Sequence, residues 1–442
     1  MSQTERNKGH VEKNDNDIKK NKKGKTKRVL ALDVLKGIAI ILVVLSHVAY
    51  FILRPEDIWL YWSIYILLDV FGPSLFVFLS AQGVVFSLTK KKTDYFDAKA
   101  VRKTTFRRAY AIIAIGWVYN LFINLVNPII NYGPLSFWYW HILQFIGFSQ
   151  IFTYIALKCK PYQRIIITFV IFAVSYPLFD FITAQITASG LDFRRLGIGD
   201  LSNPFALIYF LIFEPFFLSP LLPWLAYPFI SSIVGEWLVK AVEDGSLKAK
   251  LAFTKKILIV GIIMTLTGIL TGLGRVTWDY SRQNLWETIV VDSVRWDWLD
   301  WYWNDGIPLF LVHGTLQFMI YNLGMAILLV AVTFYITEIR DVRGKPAQLL
   351  SFYGRTSLSI FIYHQLFALI LPFKVGPALM FLIWIIVTIL TGAIIAALVF
   401  KAKGKGTLEY IVIAAGGLKR VKEKYKAKQE LQDQQEPKEE NS

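Results

Sequence analysis

The stretch Arg28–Leu53, RVLALDVLKGIAIILVVLSHVAYFIL, sets an aspartate near one end of an otherwise apolar, membrane-length run and a histidine near the other. Ionisable side chains are costly in hydrocarbon, so Asp33 and His47 are candidates for function before they are candidates for packing. On a helix rising about 1.5 Å and turning about 100° per residue, they lie roughly 21 Å apart and within about 40° of one another. Gly37, Ile40 and Val44 continue the same stripe at spacings of three and four, the pattern by which a helix faces other helices rather than lipid. Two plainer roles compete: Asp33 suits the capping of the helix start, and His47 can snorkel to the membrane surface.

The rest of the chain repeats such runs. Of 442 residues, 55% are hydrophobic, and apolar segments of about 20 residues recur, which predicts an all-α, polytopic helical membrane bundle. The single cysteine, Cys159 in KCKPYQR, leaves no disulfide framework and no Cys-based metal site, so no metal is expected. The net charge of +16 is concentrated in the loops between apolar runs, where the positive-inside rule accounts for it without nucleic acid. Residues 1–27 read as a disordered, basic cytoplasmic tail without a cleavable signal peptide. Residues 28–400 read as the transmembrane domain, and residues 401–442 as a Lys-rich cytoplasmic tail carrying a short interfacial helix.

About ten spans are expected, near residues 29–53, 61–88, 108–126, 138–157, 164–184, 222–240, 256–273, 307–336, 350–372 and 375–400, with both termini cytoplasmic because the basic connections then share that side. The apolar stretch Pro204–Leu218 is left over. It is expected to be re-entrant or interfacial, with Glu214 facing a water-filled cavity. In this topology His47, His141, His313 and His364 all fall in the outer half of the membrane, and two or more are expected to share a cavity.

Polar faces recur on several helices. DVFGPSLFVFLSAQGVVFSL puts Asp69, Gly72, Phe76, Ser80, Gly83 and Ser87 on one side. Close packing through small residues explains Ser80 and Gly83 but leaves Asp69 in need of a partner. His47 is at a comparable depth, and an Asp-to-imidazole hydrogen bond would fix its tautomer and leave the other ring nitrogen as a base. His313, Gln317, Tyr321 and Gly324 form a second such face, and Ser357 and His364 a third. Arg107 and Arg108 in TTFRRAY anchor topology or meet a phosphate-rich ligand entering from the cytosol. No Gly-rich nucleotide loop is present. The loop RVTWDYSRQNLWETIVVDSVRWDWLDWYWNDG joins Arg275, Trp278 and Asp279 to further tryptophans and acids. It reads as an aromatic belt or as a carbohydrate platform.

At these residues the chain resembles the transmembrane acyltransferase superfamily. RVLALDVLKGIAIILVVLSH is similar to the family's Arg-x-x-x-Leu-Asp-x-x-(Arg/Lys)-Gly start with its terminal His. DVFGPSLFVFLSAQGVVFSL, HILQFIGFSQIF, LLPWLAYPFISSIVGEWL and FYGRTSLSIFIYHQ resemble successive blocks of the heparan-α-glucosaminide N-acetyltransferase branch. KGKGTLEYI resembles the Gly-x-Leu-Glu close of a sister family. The resemblance implies a membrane enzyme that moves an acetyl group from cytosolic acetyl-CoA to an amine or hydroxyl of a glycan-type acceptor on the far side. It implies His47 as base with Asp69 as partner, and Arg107 and Arg108, joined by Arg28 and Lys36, at the CoA phosphates. His141, His313, His364, Arg275, Trp278 and Asp279 would then face the acceptor. The lysosomal enzymes carry Asn at the position of His47 and their catalytic His in the following loop. Here that loop, RPEDIWLYWSIYILL, has no His, so either His47 takes the role or the chemistry has been lost. The expected setting is the plasma membrane, with a homodimer the assembly considered. The rival reading is a proton-coupled transporter using a His/Asp relay, although no internal repeat supports it; a catalytically silent scaffold is a third.

Overall fold

The computed structural model describes residues 29–93, 98–126, 137–193, 196–213, 220–273, 275–276, 307–311, 313, 315–370 and 373–417. Its helices are α1 (Leu30–Ile52), α2 (Ile58–Leu68), α3 (Pro73–Thr93), α4 (Ala98–Val126), α5 (Ile142–Ala156), α6 (Pro161–Ala188), α7 (Pro204–Ile212), α8 (Ala226–Asp244), α9 (Leu247–Thr271), α10 (Leu316–Phe334), α11 (Lys345–Arg355), α12 (Ser357–Ile370), α13 (Pro377–Phe400) and α14 (Leu408–Gly416). Arg275–Val276 pairs antiparallel with Ile307–Pro308.

Among the described residues, seven helical stretches are long and apolar enough to cross a membrane: Leu30–Ile52, Pro55–Thr89, Pro161–Ala188, Leu221–Asp244, Leu247–Thr271, Leu316–Ile339 and Pro377–Phe400; α5 is apolar but shorter. The protein is therefore a helical integral membrane bundle. Helices α6, α9 and α13 turn large apolar side chains outward, among them Phe169, Ile263, Leu270 and Ile389. A face of that kind belongs against lipid tails rather than water. The nine-residue α7, about 14 Å long, is too short to span, and Asn203 caps it by accepting from the amides of Phe205 and Ala206. Arg28, Glu214, the Trp-rich loop with Trp278 and Asp279, and residues 1–28 and 418–442 lie outside the described residues.

Helix α1 is the axis of the bundle. Asp33, Gly37, Ile40 and Val44 are buried, as their stripe predicts, and α1 packs against α10, α11, α12 and α13. At its start Glu338, just past α10, accepts from the amides of Leu30 (2.8 Å) and Ala31 (3.4 Å). At the other end Val375 donates to the carbonyl of Ile52 and accepts from the amide of Arg54, which ties α1 to the start of α13. The crossing with α11 rests on two glycines. A Cβ on Gly37 would run into the carbonyl of Leu350, and one on Gly354 into the carbonyl of Asp33.

Three expected spans depart from a single helix. The second is broken between α2 and α3 by a 3-10 turn at Asp69–Phe71. Pro73 is the cause, because it cannot donate to the preceding turn and its ring disfavours helical backbone at Gly72. The eighth begins only after Thr315, whose hydroxyl caps α10, so His313 precedes the helix instead of sharing a face with Gln317 and Tyr321. The ninth is split at Thr356 into α11 and α12.

Replacing Gly354 with Val should force α1 and α11 apart at a cost of at least about 3 kcal/mol, beyond ordinary overpacking because backbone is what it meets. Size-exclusion chromatography and thermal unfolding in detergent would show loss of the folded monodisperse peak. A variant as stable as the parent would mean that the helices do not cross at this distance.

Candidate active site

The break at Pro73 leaves backbone polar groups at membrane depth, and such backbone is tolerated where it borders a cavity. A cavity of about 270 Å³ lies there, and Asp69, Gly72, Phe76 and Ser80 line it, four of the six residues read as one polar face. Lys36, Val43, Ser46 and His47 line it from α1, Ile112 from α4, His141 and Ile146 at α5, and Ser357 and Phe361 from α12. His313 completes it. Lys36 and His47 stand eleven residues apart on one helix, so the cavity extends about 16 Å along α1.

Three of the four histidines thus share one cavity, and the fourth touches it through a neighbour. His364 is fully buried and its Nε2 lies 2.8 Å from Nδ1 of His47. The two ring planes differ by 3° and their centres are 5.0 Å apart, an arrangement compatible with a hydrogen bond lying in the plane of both imidazoles. The Gln365 amide is 2.8 Å from the same Nδ1. Phe361 packs edge-on to both rings and also meets His141, and Tyr119 contacts both His141 and Phe361.

Asp69 is not the partner of His47. The carboxylate, 7% exposed, faces Nδ1 of His313 at 3.5 Å and accepts from Nδ2 of Asn322 at 3.5 Å. The hydroxyl of Tyr65 is 3.4 Å from the same His313 nitrogen. The correction has a geometric cause: the 3-10 turn carries Asp69 off the helix axis that the sequence reading assumed and aims it at α10. Two polar clusters therefore border one cavity, His47–His364–Gln365 and Asp69–His313–Tyr65–Asn322.

The cationic residues divide. Lys36 lines the cavity. Arg107 and Arg108 do not, but they sit on α4 about one turn before Ile112, against α14. Gly416 packs on the Arg108 side chain and Gly417 beside the Arg107 guanidinium. Helix α14 in turn clasps α12 next to the cavity wall. Glu409 accepts from the amide (3.0 Å) and hydroxyl of Ser359, the amide of Leu408 donates to that hydroxyl at 2.8 Å, and Tyr363 donates to the carbonyl of Gly406. Of Arg275 only the backbone is described, in the short ladder with Ile307–Pro308. Sequence reading missed Asn322, Tyr65 and Gln365. Asn322, polar within the apolar α10, carried a legible signal; Tyr65 and Gln365 were hidden among neighbours of ordinary type.

The family description "Heparan-alpha-glucosaminide N-acetyltransferase, catalytic" matches residues 28–267 of the chain. That region holds His47, Asp69, Arg107, Arg108 and His141, whereas His313 and His364 lie beyond it. No curated protein matches the chain closely enough to count as a relative.

The clasp on α12 predicts a pH signature. Burial pushes the Glu409 carboxyl up from its usual 4.5, against the opposing hydrogen bonds from Ser359. A carboxyl raised in the folded state contributes its full stability below the unfolded pKa and loses it as pH rises through the folded value. The melting temperature of Glu409→Gln relative to the parent should therefore shift upward from pH 4.5 to pH 8. A difference that moves the other way would show that the carboxylate, not the acid, is the form the clasp favours.

Proposed function

The chain belongs to the heparan-alpha-glucosaminide N-acetyltransferase catalytic family, an acetyltransferase-type membrane enzyme family, and from that premise we propose that it transfers an acetyl group from cytosolic acetyl-CoA to an amine or hydroxyl of a glycan-type acceptor across the membrane. The observation that carries this reading is the single cavity joining Lys36 to His47. A donor whose charged nucleotide stays at the surface while a slender arm delivers a thioester inward needs such a shape: a cation at one end, apolar walls, and a base at the other. Leu42, Val43, Leu143 and Ile146 supply the walls.

Acetyl-CoA supplies an activated acyl thioester. Lys36, with Arg107 and Arg108 beyond it, holds the phosphates by charge-assisted hydrogen bonds. His47 takes the proton of the acceptor N–H or O–H as that atom bonds to the acyl carbon. The carbon–sulfur bond then breaks and the thiolate leaves, taking up a proton in turn. The Asp69–His313 cluster, with His141, faces the acceptor and orients its polar groups. The positive-inside rule supports a reading with the termini, the arginines and the donor in the cytosol, and the plasma membrane is the proposed setting. The Trp-rich loop, including Arg275, Trp278 and Asp279, lies on the acceptor side, and Arg28 adds charge at the donor end.

Proteoliposomes with acetyl-CoA and an amino-sugar acceptor on opposite sides test the reading. His47→Gln should lower kcat at least about 100-fold, the scale of a general base, with donor binding retained. The Arg107→Ala/Arg108→Ala double variant should raise the donor KM about tenfold, the worth of a lost charged hydrogen bond, with a smaller effect on kcat. Full activity in His47→Gln overturns the assignment of the base. Acceptor uptake driven by a pH gradient without any donor would instead identify a transporter.

A further inference from the structure

The hydrogen bonds around His364 decide which nitrogen of His47 can act. Nδ1 of His364 lies 2.8 Å from the carbonyl oxygen of Ile360. A carbonyl only accepts, so this nitrogen carries the proton, and Nε2 of a neutral His364 is then a bare acceptor. That Nε2 is the atom 2.8 Å from Nδ1 of His47. One proton must lie between them, and it belongs to Nδ1 of His47. The remaining nitrogen of His47, Nε2, is unprotonated. It makes no hydrogen bond among the described residues, while His47 lines the cavity and His364 does not.

The side-chain nitrogen of Gln365 lies 2.8 Å from Nδ1 of His47 and 3.2 Å from Nε2 of His364, so the amide stands beside this hydrogen bond.

We infer that His364 is a positioning residue, which locks His47 in the Nδ1–H tautomer and presents Nε2 to the cavity as the base. The inference rests on the acyl-transfer reading for its chemistry, but not for its geometry. It gives His364 a different task from the acceptor contact that the sequence suggests, and it gives the imidazole the tautomer partner first sought in Asp69. The competing arrangement is an imidazolium at His364 that donates from both nitrogens. It would leave His47 protonated on Nε2 and useless as a base. It also buries a charge where, among the described residues, neither histidine pairs with a carboxylate, which is strongly unfavourable.

The direct test is solid-state NMR of the full-length protein in lipid with ¹⁵N-labelled histidine, assigning His47 by its loss in His47→Gln. The expected result is a protonated-type Nδ1 and an unprotonated-type Nε2 at neutral pH. A protonated Nε2 overturns the inference whether or not the protein is an acetyltransferase. Kinetics supply the second arm. His364→Phe, which keeps a ring but no acceptor, should lower kcat about 100-fold with the KM of donor and acceptor unchanged within about twofold. His364→Gln, whose side-chain oxygen can accept from Nδ1–H, should recover a large part of that loss. Equal kcat in the Phe variant and the parent contradicts a positioning role. A parent with no transferase activity refutes the proposed function alone, because the NMR result still reads the tautomer.

Discussion

A carboxylate or imidazole at membrane depth must find a partner or water, because hydrocarbon offers neither. This constraint organises the molecule. Asp69 and four histidines arrive from α1, the α2–α3 break, α5, the turn before α10, and α12, and no one of them could be tolerated alone on its helix. Asp69 and three of the histidines line one cavity, the fourth hydrogen-bonds to His47, and the helices that deliver them, α5 apart, pack against α1. The two glycine contacts with α11 and the carboxylate of Glu338 at its first turn fix the depth of His47, because they set where α1 starts and how closely it can be approached. The lipid-facing helices α6, α9 and α13 can then be apolar outward without affecting the site.

Much of this was legible in the sequence, for a physical reason. Period and charge are local signals, so the membrane class, the buried stripe of α1 and the polar lining of α3 could be read from spacing alone. Sharing of a cavity by histidines far apart in the chain followed from topology, since loop charge orients each helix and thereby fixes depth. Pairing at the scale of one hydrogen bond was not legible. Depth brought His47 and Asp69 to the same level, but the rotation that chooses Asp69's partner depends on the turn at Pro73. A proline in sequence signals a break without giving its angle. The apolar run from residue 307 puts His313 inside the eighth helix for a similar reason: the Thr315 cap, not the apolar run, decides where α10 begins.

The region matched by the family, residues 28–267, holds one side of each polar cluster. His364, His313, Asn322 and Gln365 come from the remainder, and α14 packs on the Arg108 side chain and clasps Ser359. The second half of the chain therefore completes a site that the first half begins. Cleavage between α9 and α10 would separate the two partners in both clusters, His47 from His364 and Asp69 from His313.

The central claim is that one cavity carries an acyl group from the Lys36 end of α1 to His47. The most direct measurement uses an acyl-CoA whose acyl group bears a photoreactive diazirine, irradiated with the protein in lipid, with the labelled peptides identified by mass spectrometry. The account predicts labelling in residues 42–47 and around His141–Ile146, suppressed by excess acetyl-CoA. Labelling confined to the lipid-facing surfaces of α6, α9 or α13, or labelling that acetyl-CoA does not displace, would contradict it.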